Sequence, residues 1–490
     1  MSKNKRCKRK SANRRKTRRS KTAANKNCLL EVWEWLLPAG IFAKFTCHGN
    51  TKWKPMHLVI LAFCWTWSDA RCLTDAFVEA SEGCRTLFGC SALSTYQGFM
   101  GAMVKWSSTL VRSLTSVVRQ RMQEIGGRFW RIGEWVPIAF DGSRSTAPRT
   151  KSNEAAYCAA NYGKGKTAKY RKKKTKGMRR RKNEKNKAQP QAPQAWITLM
   201  WHMGLRLPWA WRLGPSNSSE RDHVMEMLAD EEFPEHTLFC GDAGFIGYPL
   251  WARILKRGHD FLVRAGANVY LQVEAIDGRV IKEGHDQIVL CWPADAQRAG
   301  LPPLRLRLIH ARIKKTKVWL LTSVLDRKKL TLKQAVRFYE MRWGIELEFR
   351  GLKQTLNRAE LRSRNDKRLW TELDWSILGM AVAELFALKE QLSPRTAKSK
   401  KDPPSQRSLA ETMRALRWCL RNLNEDSEKN RGLADRLREA VIDDYKRPSS
   451  KRARYRPPNP DKKALGDPKL RMLSPEEKNE LRSIDADLAA

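Results

Sequence analysis

Two aspartates follow short apolar runs in this chain. Asp141 comes after Val136-Pro-Ile-Ala-Phe140 and leads into Gly142-Ser143, and Asp242 comes after Thr237-Leu-Phe-Cys240 and leads into Ala-Gly244-Phe245. Each run reads as a short buried strand, with Pro137 tolerable near a strand's first residue, so each carboxylate is expected just past a strand end. Taken singly, such an aspartate more often caps a turn or a helix than does chemistry. A third acidic residue changes the balance. Tyr339, Arg342, Glu346 and Lys353 stand at offsets of 3, 7 and 14 within one helical stretch. At about 100° per residue these offsets put all four side chains on one face. The plain alternative is a solvated stripe with an Arg342–Glu346 pair at i, i+4, worth about 0.2–0.5 kcal/mol. Phe349 on that face, with Trp343 and Ile345 beside it, fits a partly covered site equally well.

Two strand-end carboxylates and one helix carboxylate make an all-oxygen set. Such a set suits hard divalent cations, Mg²⁺ or Mn²⁺, which keep positions open for water and phosphate. Two ions held about 4 Å apart can activate an attacking water or 3′-hydroxyl and stabilise the departing oxygen of an in-line displacement. Arg342 and Lys353 would then clamp phosphate oxygens near the metals.

The elements that must position these groups follow from the hydrophobic pattern. After Asp141 comes a loop to about residue 194, with fourteen Lys or Arg between Lys164 and Lys187, a stretch unable to bury a core. Strands are expected at Trp196–Met203 and Leu207–Leu213, then a helix opening at Ser219 with Asp222 three residues on. A helix over Tyr248–Arg257 and a strand at Phe261–Val263 follow Asp242. Residues 267–322 read as a β-rich insertion, with strands at Ile288–Trp292, Leu304–Ile313 and Val318–Thr322. Thr331–Leu356 reads as one long helix that tolerates Gly344 and Gly351. Further helices are expected over Leu369–Leu388 and Leu409–Leu423.

Composition narrows the partner. Among 490 residues, 95 Lys or Arg face 51 Asp or Glu, for a net charge of +44. A polyanion that neutralises this self-repulsion is the economical explanation, and a phosphate backbone does so while releasing counterions. Residues 1–27 hold thirteen Lys or Arg and no acid, which predicts a disordered arm. The eleven cysteines form no CxxC pair and do not join the eight histidines at zinc spacing. Cys64, Cys72, Cys84 and Cys90 are expected to be small buried thiols of an apolar helical region. No secretory leader or membrane span is legible, which predicts a cytoplasmic, nucleoid-associated protein.

The motifs together resemble those of DDE transposases of the insertion-sequence-four group. The carrying residues are Asp141-Gly142, Asp242-Ala-Gly-Phe245, and the Tyr339, Arg342, Glu346, Lys353 signature reinforced by Trp343 and Phe349-Arg-Gly-Leu-Lys353. The likeness spans roughly residues 133–390. It implies an α/β fold with a ribonuclease-H-like catalytic core and a β-rich insertion, flanked by helical N- and C-terminal regions. It further implies Asp141, Asp242 and Glu346 as ligands of two Mg²⁺ or Mn²⁺ ions, with Tyr339, Arg342 and Lys353 on the transposon end. Double-stranded DNA as partner and a dimer in the synaptic complex belong to the same implication. Members of the group commonly stack a flipped base on an aromatic residue of the insertion, for which Trp319 is the candidate and Trp292 a weaker one. Both also read as ordinary strand tryptophans. The expected organisation is a basic arm (1–27), a helical DNA-binding region (28–132), the core (133–390, with a basic loop at 147–194 and the insertion at 267–322), a linker (391–407), and a helical, basic C-terminal region (408–490).

Overall fold

The first four α-helices among the described residues are α1 (Ala24–Leu36), α2 (Pro55–Trp67), α3 (Leu73–Phe88) and α4 (Tyr96–Gly126). Every residue of α2 from Leu58 to Trp67 is buried, which is the behaviour of a helix that is apolar all round. The computed structural model describes residues 24–43, 45, 53–89, 93–158, 192–274, 282–314, 316–393, 404–424, 432–442 and 465–489. The basic loop at 164–187, Cys90 and residues 1–23 of the expected arm lie outside the described residues, and α1 already begins at Ala24.

The central sheet starts with β1 (Val136–Thr146). After the short α5 (Lys151–Tyr157) come β2 (Gln194–His202), β3 (Leu207–Gly214), α6 (Glu220–Asp230), β4 (Thr237–Gly241), α7 (Tyr248–Lys256) and β5 (Asp260–Ala265). Then follow β6 (Tyr270–Val273), β7 (Asp286–Cys291), α8 (Ala294–Arg298), β8 (Leu304–Ile313) and β9 (Thr316–Thr322). The last part holds α9 (Leu332–Arg342), α10 (Gly344–Arg350), a π-helical turn at Gly351–Thr355, α11 (Asp366–Leu392), α12 (Leu409–Arg421), α13 (Leu433–Arg438), β10 (Lys469–Met472) and α14 (Pro475–Ala489). The ten strands among the described residues share one sheet, in the order β10-β6-β7-β8-β9-β5-β4-β1-β2-β3. β1, β2 and β3 run antiparallel in sequence, whereas β4 lies parallel to β1 and β5 parallel to β4. The result is a mixed α/β protein built on a large sheet. Among the described residues no helix is long and apolar enough to cross a membrane.

Two expectations about these elements need correction. The strand after Trp135 does not end at Asp141; it continues to Thr146, because antiparallel pairing with β2 runs unbroken from Ile138–His202 to Thr146–Gln194. The expected single helix at 331–356 breaks at Trp343, then ends in the π turn. Its start is firmly set by a capping box in which Thr331 and Gln334 satisfy each other's backbone N–H groups. Ser219 caps α6 as its sequence suggested, accepting from Asp222 N at 3.3 Å.

The N-terminal helices share a core with α11, which is buried along most of its length. Trp33 stacks on Trp67 and Phe63, Phe63 meets Trp375 edge-on, and Trp67 donates to Gly379 O at 2.8 Å. Cys64 and Cys84 are buried thiols, but Cys72 is exposed, because it is the N-cap residue just ahead of α3 and not part of the apolar face.

Candidate functional site

Strand register brings the two aspartates together. Parallel pairing of β1 with β4 ends at Ala139–Cys240, so Asp141 and Asp242 each lie two residues beyond the last paired row, Asp242 just past the end of β4 and Asp141 midway along β1. Strands in a sheet are about 4.8 Å apart, and residues separated by two point to the same face. β1 keeps its antiparallel partner here (Asp141 opposite Leu199) while its parallel partner has run out, so the sheet opens into a crevice on one side only. Crevices at the carboxyl ends of parallel strands are where α/β folds place ligands.

The helix layer over that face is α9–α10. Trp201, which pairs with Ala139, points to the same face as Asp141 and touches Gly344 at the start of α10. A Cβ on Gly344 would lie 2.8 Å from Trp201 Cζ3, so glycine lets the helix sit directly on the indole. Gly344→Ala is expected to destabilise the protein by about 1–3 kcal/mol through overpacking against a fully buried tryptophan. Urea unfolding measures this, and an unaltered midpoint would mean that α10 has slack there.

From this layer the basic residues reach β1. Arg342, buried, places Nη1 3.1 Å from Asp141 Oδ2 and lies over the Tyr339 ring, 5.6 Å from its centroid. Lys353, in the π turn, donates to Ser143 Oγ at 2.7 Å. The remaining oxygen of Asp141 accepts from Gly142 N at 2.8 Å, and Asp242 Oδ1 accepts from Gly244 N at 2.7 Å. Burial pushes the Asp141 carboxyl above its ordinary range; the Gly142 N–H and Arg342 oppose that shift, and the charges of Asp242 and Glu346 add to it. Burial also lowers the Lys353 ammonium. Glu346 is half-exposed on α10. Asp141, Asp242, Glu346, Arg342 and Lys353 are thus gathered around the middle of β1, where β4 has ended, with Tyr339 against Arg342. Lys353 stays on this face although the helix is not continuous. The break at Trp343 and the π turn replace the ideal 100° step that the spacing assumed.

One acidic neighbour escaped the sequence. Glu220, the first residue of α6, has its carboxyl pushed up to about 7 by burial and by the charges of Asp141 and Asp242, with Arg144 opposing. In sequence it looks like any acid in a helix's first turn, where the macrodipole alone explains it, so nothing marked it.

The tryptophan candidates separate. Trp292 is fully buried and donates to Leu301 O at 2.8 Å, which makes it a core residue. Trp319 is half-buried on β9, with its ring stacked on His310 at 4.0 Å between centroids and its Nε1 bonded to Asp467 Oδ1 at 2.7 Å. One of its faces is already covered.

Carboxylate oxygens that raise one another's proton affinity are a donor set that a hard cation would relieve. Among the described residues no three acidic, histidine or cysteine side chains converge as closely as an ion cage requires. Arg342 instead occupies one oxygen of Asp141.

Fold and site define a mixed α/β protein that collects carboxylates and basic side chains where β1 runs on past its parallel neighbour β4. Residues 136–379, a segment that contains the whole carboxylate cluster, match the family model described as the transposase DDE domain. No curated protein matches the chain. A solved structure described as the cryo-EM structure of a piggyBac transposase synaptic complex with hairpin DNA aligns over 86% of this chain and 87% of that one, at 14% identity and a TM-score of 0.37.

Proposed function

We propose that this chain catalyses cut-and-paste DNA transposition, cleaving strands at element ends and joining the freed 3′-hydroxyl to target DNA. The observation that carries it is the matching placement of Asp141 and Asp242 beyond the last paired row of β1 and β4, beneath the α9–α10 layer and π turn that carry Arg342, Glu346 and Lys353, in a segment that matches the transposase DDE domain model. The core is assigned to the ribonuclease-H type, on the order β3-β2-β1-β4-β5 with antiparallel β1–β3, parallel β4 and β5, and helices on both faces. Within it, membership of the insertion-sequence-four group rests on the Tyr339, Arg342, Glu346, Lys353 spacing.

Asp141, Asp242 and Glu346 would hold two divalent cations, Mg²⁺ or Mn²⁺. Bound there, the ions would activate the attacking water or 3′-hydroxyl and stabilise the leaving oxygen. The protein's own groups orient and neutralise. Arg342 fixes the Asp141 carboxylate and offers the rest of its guanidinium fork to a phosphate, while Lys353 adds a point charge beside Ser143. Tyr339, against Arg342, completes the contact surface for the transposon end. Trp319 is assigned the flipped base on its free side. The net charge of +44 matches a duplex DNA partner, and a dimer would bring two ends together. Nucleoid association in the cytoplasm follows from that partner.

The decisive experiment incubates the protein with DNA carrying the element's own ends and Mg²⁺. Cleaved ends covalently joined to target DNA are expected. Cleavage without joining would reduce the protein to a nuclease, and binding without cleavage to a silent DNA-binding relic.

A further inference from the structure

The π turn that carries Lys353 is held from outside at both ends. Its closing bond, from Leu356 N to Gly351 O at 3.2 Å, spans five residues instead of the four of an α-helix. Such turns are rare, occur as single insertions and gather at functional sites. Regular α-helical periodicity does not set where Lys353 points here, so contacts from other elements must. Two of them come from α12. At its first residue, Leu409 packs on Gly351 so closely that a Cβ there would lie 2.5 Å from Leu409 Cδ2. Further along, Arg417 donates from Nη2 to Thr355 O at 3.3 Å and from Nε to Trp67 O at 2.6 Å. Thr355 and Trp67 are the last residues of the π turn and of α2. Carbonyls at such ends lack intrahelical partners and carry the negative pole of the helix dipole, so one guanidinium links and neutralises both. Lys353 is the middle residue between Gly351 and Thr355, and its ammonium reaches Ser143 Oγ on β1 at 2.7 Å.

α12 is itself well seated. Ser408 caps it, accepting from Glu411 N at 3.4 Å, and Thr412, Met413, Ala415, Leu416 and Cys419 are buried. Just ahead of the cap, the buried Arg407 donates to Leu205 O at 3.1 Å and to Arg206 O, and faces Glu384 of α11 at 3.4 Å. That apolar face and anchor dock the helix without help from Arg417. Arg417, half-buried beside them, gives up water to bond two carbonyls, one of them on the turn. α12 also lies beyond residues 136–379, the segment that matches the transposase DDE domain.

We propose that α12 is a positioning element of the reaction site: Arg417 and Leu409 clamp the two ends of the π turn and so hold the Lys353 ammonium at Ser143, where it meets a phosphate. The inference rests on the role given to Lys353 above, and two readouts separate them. Full-length wild type is compared with Arg417→Gln, Lys353→Ala and the double variant. Amide hydrogen exchange over residues 351–358, which needs no reaction, is expected to quicken about fivefold in Arg417→Gln, as the loss of one hydrogen bond allows. Single-turnover cleavage of DNA carrying the element's own ends, with Mg²⁺, is expected to slow about 10–100-fold in Arg417→Gln at unchanged DNA affinity, because a small misplacement of a positioned group costs that much. Added to Lys353→Ala, the same substitution should cost nothing further, since the group it positions is gone. A merely structural loss would slow both backgrounds by the same factor. Should Arg417→Gln fail to fold, Leu409→Ala, at a partly exposed position, reads the other end of the turn in the same way. Unchanged exchange over the turn, or equal slowing with and without Lys353, would overturn the clamp alone. Wild-type cleavage in Lys353→Ala, or no cleavage by the wild type, would overturn the reading of the site on which it rests.

Discussion

Glu346→Gln is expected to bind end DNA as wild type does and to lose Mg²⁺-dependent strand cleavage by about a thousandfold or more, which corresponds to about 4 kcal/mol in the barrier. Glutamine keeps the size and hydrogen-bonding reach of the side chain and removes only its charge. Glu346 is half-exposed, so neither packing nor the capped start of α9 depends on that charge. Its effect is electrostatic, as the upward push on Asp141 shows. Contacts to DNA fall mainly to cations, and these are untouched by the substitution. Cleavage rates under single-turnover conditions, beside a binding isotherm at fixed salt, measure the split. Cleavage retained at the wild-type rate would remove Glu346 from the chemistry.

The largest expected effect on stability lies at Glu372→Ala, about 3–5 kcal/mol, the usual cost of breaking a buried ion pair from one side. Glu372 is fully buried on α11 and accepts from the backbone N–H groups of Arg362 and Ser363, the latter at 2.9 Å. It also faces Arg358 Nε at 3.7 Å, and Arg358 is itself buried, donating to Ser376 Oγ and Leu356 O, both at 2.8 Å. Alanine would strand a buried guanidinium and two backbone donors. Glu372→Gln keeps the acceptor and should cost less. Chemical denaturation of both variants provides the measurement, and a loss below about 1 kcal/mol for alanine would place this pair with weak surface bridges.

That network also serves the site. Just past the π turn, Asn357 adopts a positive φ of 56°, a conformation asparagine tolerates better than most residues. The chain then docks beside the end of β1, where Thr146 N donates to Ala359 O and Leu361 N to Thr146 O, both within 2.9 Å. Lys353 is thereby held between α10 and a segment that α11 fixes in place. Loosening Glu372 should therefore blur the position of Lys353 as well as lower stability.

Much of this was legible in local patterning. The apolar runs before Asp141 and Asp242, the capped start of α6 and the alternation in β8 and β9 are short-range signals, set by side-chain periodicity and by which groups can satisfy a helix end. Spacing within one helix places Tyr339 beside Arg342, but the break at Trp343 and the π turn mean that Glu346 and Lys353 are set by where the following segments dock. Register between strands is different. That Asp141 and Asp242 lie equally far past the last paired row depends on β1 and β4 pairing across about a hundred residues, and on β2 continuing where β4 stops. The C-terminal strand β10 is a four-residue segment that is a strand only because β6 offers it an edge. Trp343 ends one helix and begins another because Gly344 rests on Trp201, a contact with no local signature. Glu220 is the clearest case. Its neighbours Gly142, Asp141 and Asp242 are distant along the chain, and its distinction from an ordinary helix-start acid is made by the missing Cβ of a glycine on another strand. Periodicity and capping act over a few residues and so can be read from the chain itself; charge crowding and steric access depend on which distant segments fold against one another, and those were decided only in three dimensions.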